Sequence, residues 1–125
     1  MNVANWRKWV EALRSTKYEQ CSGKLRNEEG KYCVLGVGCD ISGVSTWEER
    51  SDGPFGFEYD GSIGSLPSSV SEWLGISRVC SPFVSGRSLI NLNDSGMSFV
   101  EIADIIEDHI REYERKNNGS TSVVE

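Results

Sequence analysis

Tyr32-Cys33-Val34-Leu35-Gly36-Val37-Gly38-Cys39-Asp40 is the stretch that most limits what this chain can become. Its Tyr32 to Cys39 part is the longest run without charge in the first half, and polar, aromatic-rich segments flank it. A segment this apolar has to leave water, so the remaining segments must pack onto it. Periodicity alone does not separate a buried strand from a short helix. Leu35, Val37, Cys39 and Ile41 leave no polar face for a half-exposed strand, which favours a helix from about Val34 to Ile41. Gly36 and Gly38 would then allow close packing at some cost in helix propensity.

At 125 residues the chain reads as one domain, able to bury roughly two-thirds of its unfolded surface. Residues 1–116 are expected to form it, with 117–125 a disordered tail. The start lacks a basic stretch followed by an apolar core, and no run approaches the ~20 apolar residues that span a bilayer. The expectation is a soluble protein of the host cytoplasm, with no membrane partner. Thirteen Lys and Arg against nineteen Asp and Glu give a net charge of −6, which argues against duplex nucleic acid as a partner. A small anionic ligand is not excluded, because one arginine and a few amides can hold a phosphate. Docking on a basic protein surface is equally open.

Cys21, Cys33, Cys39 and Cys80 contain no C-x-x-C pair, and the single histidine, His109, cannot complete a Cys/His zinc set. Buried free thiols are expected, with no metal and no cofactor.

In chain order, Asn2 or Asn5 can cap a first helix whose Trp6, Trp9, Val10 and Leu13 form one apolar stripe, ending near Ser15. Leu25 and Tyr32 flank the turn-like Asn27-Glu28-Glu29-Gly30, which fits a short hairpin. Residues 42–65 read as a long loop with one short strand, where Phe55, Phe57 and Tyr59 alternate with other residues. A short helix spans 66–75, with Pro67 in its first turn, Val70, Trp73 and Leu74 on its buried side, and Gly75 as its stop. A connector broken by Pro82 follows, and Arg87 to Leu92 can add a helical turn. Asn93-Asp94-Ser95-Gly96 reads as a turn, and Ser98 with Glu101 as a capping box. The last helix then runs to about Arg115, with Phe99, Ile102, Ala103, Ile106, Ile110 and Tyr113 on its apolar face. The fold class expected is α+β: a single compact, mainly helical domain with short β-hairpin elements and a long aromatic loop.

Three strings stand in order along the chain: Trp9-Val10-x-Ala12-Leu13-Arg14-Ser15-x-x-Tyr18-x-Gln20, Tyr32-Cys33-x-Leu35-Gly36-Val37-x-Cys39-Asp40, and Leu92-Asn93-Asp94 with Phe99-x-x-Ile102-Ala103-Asp104-x-Ile106-Glu107. With Leu25-Arg26 and Leu66-Pro67-x-x-Val70-x-x-Trp73-Leu74-Gly75, they resemble a family of small phage and prophage proteins. Thr16 stands where that pattern has Gly, and Val34 and Gly38 where it has Cys and Leu, so no adjacent-cysteine chemistry carries over. The resemblance implies a phage accessory context, for which countering host defence is the expected role by analogy.

Arg14, Tyr18, Gln20, Asn93 and Asp94 are the leading candidates for a ligand site, with Trp47 beside them. Arg offers a fork for phosphate or carboxylate, Gln and Asn read amide or base edges, Tyr stacks, and Asp can take a ribose hydroxyl. The alternative is structural: Asn93-Asp94 caps the last helix, while Arg14 and Gln20 satisfy backbone groups. Cys33 is a candidate nucleophile whose base would have to be His109; its alternative is a buried thiol. Glu101, Asp104, Glu107, Asp108, Glu112 and Glu114 crowd the last helix, as a protein contact or simply a solvated face. Trp47, Phe55, Phe57 and Tyr59 would wall a pocket or cover a small core. Gly36-Val37-Gly38 lacks the context of a phosphate loop.

Three functions follow. The first is non-catalytic sequestration of a small nucleotide-like host immune signal. The second is inhibition of a host defence protein through the acidic surface, and the third a small cysteine-dependent hydrolase. The balance leans away from an enzyme, and self-association stays open.

Overall fold

Helix α2, Val34–Ser42, is the centre of the structure, a computed structural model that describes residues 1–50 and 56–124, with side chains described through residue 117. Its residues Val34 to Cys39 are all buried, so it is apolar all round and needs neighbours on every side. Helix α1, Val3–Arg14, packs against it and against the long α5, Phe99–Val124. Two short helices, α3 (Ser68–Trp73) and α4 (Leu89–Asp94), close the remaining sides. Strands β1 (Trp47–Glu49) and β2 (Phe57–Tyr59) pair antiparallel, with Trp47 opposite Tyr59. A second antiparallel pair joins β3, Phe83–Val84, to β4, Arg87–Ser88. The fold is α+β and mainly helical, and no helix among the described residues is long and apolar enough to cross a membrane.

The helical reading of the central run holds, and its packing shows why two glycines stand in it. A Cβ on Gly36 would lie 1.8 Å from the Leu25 carbonyl oxygen. A Cβ on Gly38 would lie 3.2 Å from Cε2 of Trp9. The helix therefore lies directly on backbone at one glycine and on an indole at the other. The Trp9 Nε1 donates to the Val34 carbonyl at 2.9 Å, and the Trp6 Nε1 to the Leu74 carbonyl at 2.8 Å. The α1 stripe thus buries two indoles without leaving a polar N–H unpaired.

Several elements differ from expectation. Around Asn27 the chain makes a turn, its side-chain oxygen accepting from Glu29 N–H at 3.0 Å and Lys31 N–H at 2.9 Å. Tyr32 bridges to both Gln20 and Arg26, so three segments meet there in isolated bridges instead of a two-stranded hairpin. The loop over 42–65 holds a second strand, β1, whose acidic residues hid its alternation; Phe55 lies outside the described residues. In α3, Ser71 is buried while Trp73 is only half-buried. Asn93 and Asp94 form the last turn of α4, and the capping of α5 falls to Ser98 and Glu101, which exchange hydrogen bonds at 3.1 and 3.2 Å. Helix α5 continues past Arg115 to Val124. Of the thiols, Cys33 and Cys39 are buried, Cys21 is half-buried and Cys80 is exposed.

Candidate functional site

Asn93 is the best-connected of the candidate residues. It is 1% exposed. Its Oδ1 accepts from the Val34 N–H and from Gln20 Nε2, both at 3.0 Å. Its Nδ2 donates to the Cys21 carbonyl at 2.8 Å and to Asp94 Oδ1 at 3.2 Å. Gln20 Nε2 also donates to the Met97 carbonyl at 2.7 Å. The sequence explains the need. Cys33 stands at the N-cap of α2 without a capping bond, so the first donor of the central helix has no local partner. Asn93 supplies one from a distant element. Gln20 and Asn93 do come together, but their amides are spent on each other and on the backbone.

Tyr18 and Trp47 meet elsewhere, on Asp40. The Tyr18 hydroxyl donates to Asp40 Oδ2 at 2.5 Å, and Trp47 Nε1 to Oδ1 at 3.0 Å. Burial, and then this hydrogen bond, hold the Tyr18 hydroxyl protonated well above its ordinary range. Tyr18, Tyr32, Trp47 and Tyr59 form an edge-to-face chain with ring centroids 4.9, 5.7 and 4.8 Å apart. The Arg26 guanidinium lies over Phe57 at 4.1 Å and over Tyr32 at 5.3 Å. Arg26 thus fills the space that an aromatic wall would offer a ligand, and these rings cover the core.

Arg14 is on a third surface. Its guanidinium bridges α1 to α5, with Nη2 on Asp104 at 2.7 Å and Nη1 on Glu107 at 2.6 Å. The same pairing, Arg14 first, lowers the Glu107 pKa. Every acid singled out on α5 is occupied. Glu107 and Asp108 also face Arg111, Glu112 faces Arg115 and Lys116, Glu114 meets Arg7 at 2.5 Å, and Glu101 serves the cap. The acidic run is therefore a locally neutralised face.

Cys33 and His109 are not brought together. Cys33 lines a cavity of about 60 Å³ with Lys24, Asn93 and Asp94, whereas the His109 ring packs on Trp6, centroids 5.8 Å apart. Burial pushes the Cys33 thiol up to about 11, outweighing the N–H groups of Gly36 and Leu35. A thiol at that value without a base is a poor nucleophile at neutral pH. Among the described residues, no three His, Cys, Asp or Glu side chains gather as metal ligands.

The surface that sequence reasoning missed lies at the β3–β4 hairpin. A groove of about 300 Å³ is lined by Trp6, Ile76, Val79, Pro82, Phe83 and His109, among others. Phe83 is 61% exposed and Val79 37%. Ser85 and Gly86, at φ of 52° and 76°, make the tight reversal that holds Phe83 at the groove's edge. A signal was available: between Glu72 and Asp94 the chain has no acid, two arginines, and an isolated Phe among Ser, Gly and Pro.

Fold and surfaces together define a small α+β domain built on a buried glycine-bearing helix, with an exposed apolar groove. The chain belongs to the family described as Domain of unknown function (DUF8296), whose model matches residues 1–110. That span takes in α1 through the packed part of α5, including every groove residue. No curated protein and no solved structure matches the chain.

Proposed function

We propose that this protein acts without catalysis, by binding a host protein through the face that carries Phe83. The observation behind this reading is the 61% exposure of a phenylalanine beside an apolar groove of about 300 Å³. A large ring left in water at a fixed position is unfavourable for the free chain and useful to a contact, where such side chains supply much of the binding energy. In the phage setting that the sequence resemblance implies, the partner is a component of host defence and the protein is its inhibitor. The contact moves from the acidic helix to the hairpin, because the α5 acids already have partners.

Sequestration of a nucleotide-like signal is the second reading, favoured by one observation. Cys33, Asn93 and Asp94 line a common cavity with Lys24 at the start of α2. At about 60 Å³ it would have to open considerably, since small-molecule sites run ~300–1,000 Å³.

The test is protection of phage growth in a defence-carrying host, comparing wild type with Phe83→Ala. Loss of protection, with the melting temperature unchanged, is the expected result. Full protection by Phe83→Ala, together with a bound mass of a few hundred daltons in native mass spectrometry, would replace this reading by sequestration.

A further inference from the structure

Residues 73–93 carry charge only at Arg78 and Arg87, in a chain whose net charge is −6. Both arginines are exposed, and neither has an ion-pair partner among the described residues. Most other arginines behave differently. Arg7, Arg14, Arg111 and Arg115 are each held by a carboxylate, and Arg26 stacks on rings. Neither cation lines the groove, but both follow it along the backbone: Arg78 adjoins Val79 of its wall, and Arg87 is the cross-strand neighbour of Val84, next to Phe83. On the α5 edge, His109 has its pKa lowered chiefly by burial, with Lys116 acting in the same direction. The groove lining is therefore mainly apolar, and on the hairpin side the chain that flanks it carries only positive charge.

Resting on the reading above, we propose that the groove takes an acidic segment of a partner protein, inserting one bulky apolar side chain beside Phe83 while its carboxylates face Arg78 and Arg87. Charge complementarity of this kind selects the partner and speeds encounter, while the buried ring supplies affinity. The α5 helix of a second copy is a poor occupant, because its acids are already paired. Nucleic acid fits less well. Two cations neutralise few phosphates, and the overall charge of −6 repels a polyanion.

The test uses fluorescence anisotropy with two short labelled peptides, each carrying a central Trp-Leu pair. One is flanked by Asp and Glu, the other by Asn and Gln. The acidic peptide is expected to bind about tenfold more tightly, with the preference shrinking as salt rises. R78E/R87E should erase the preference, R78K/R87K should keep most of it, and Phe83→Ala should weaken both peptides about tenfold or more. Equal binding of the two peptides, a preference that survives R78E/R87E, or no binding of either would overturn the inference. So would tighter binding of a short oligothymidylate, or a dimer in sedimentation that Phe83→Ala dissolves. The two readings fail separately. If Phe83→Ala still loses protection in cells but charge reversal does not, protein binding stands and the acidic segment falls; if Phe83→Ala keeps protection, both fall.

Discussion

Replacing Asn93 by alanine tests whether this residue holds the fold or waits for a ligand. The substitution strands two backbone groups at once: the Val34 N–H, whose acceptor at 3.0 Å is lost, and the Cys21 carbonyl, whose donor at 2.8 Å is lost. Gln20 Nε2 is less affected, since it keeps the Met97 carbonyl at 2.7 Å. Each buried group left unpaired costs ~1–3 kcal/mol. Water entering the space of the missing amide would recover part of that. We expect a loss of about 3 kcal/mol, which for a domain of this size lowers the melting temperature by about 10 °C. Urea denaturation followed by tryptophan fluorescence reads the change directly, with Asp94→Ala as the reference. Asp94 is exposed, and its bond from Gly23 N–H is long at 3.3 Å, so that variant should lose under ~1 kcal/mol. A double-mutant cycle with Gln20→Ala should show coupling of about 1 kcal/mol, as expected for partners in one network. If Asn93→Ala cost no more than Asp94→Ala, the interior amide would not be capping α2, and the residue would be free for another role.

The remaining predictions concern packing, thiols and pH. Gly36→Ala should fail to fold or lose well over ~3 kcal/mol, because its Cβ would lie 1.8 Å from the Leu25 oxygen, while Gly38→Ala should cost only ~1–2 kcal/mol and shift the near-ultraviolet dichroism as Trp9 gives way. Equal losses in chemical denaturation would contradict this packing. With iodoacetamide at mildly alkaline pH, Cys80 should be alkylated first and Cys21 more slowly, while Cys33 and Cys39 react only on unfolding, since burial raises the pKa of the last three thiols. Rapid labelling of Cys33, read by peptide mass spectrometry, would reopen the hydrolase. His109 has a folded pKa below its ordinary 6.5, mainly through burial, so just below that pH the unfolded chain binds more protons and stability falls as pH drops. His109→Gln should reduce the difference in urea midpoint between pH 7 and pH 5; an unchanged difference would remove His109 from the account.

The sequence by itself determined the helices whose instructions are local. Trp6, Trp9, Val10 and Leu13 recur at helical spacing, Asn2 caps from three residues away, and Ser98 with Glu101 starts α5 within one turn. It also determined that Val34 to Cys39 must be buried, because no arrangement could leave that run in water. What it could not determine is where the polar candidates go. Arg14, Tyr18, Gln20, Asn93, Asp94 and Trp47 have side chains suited equally to a ligand or to the chain's own groups. Only the tertiary structure sends Arg14 to Asp104 and Glu107, Tyr18 and Trp47 to Asp40, and Gln20 to Asn93. Hydrogen bonds and ion pairs are short-ranged, so partners far apart in the chain are decided by packing and leave no periodic trace. The groove is hidden for the same reason: Trp6, Ile76, Phe83 and His109 come from four separate segments, and their meeting is a property of the assembled helices.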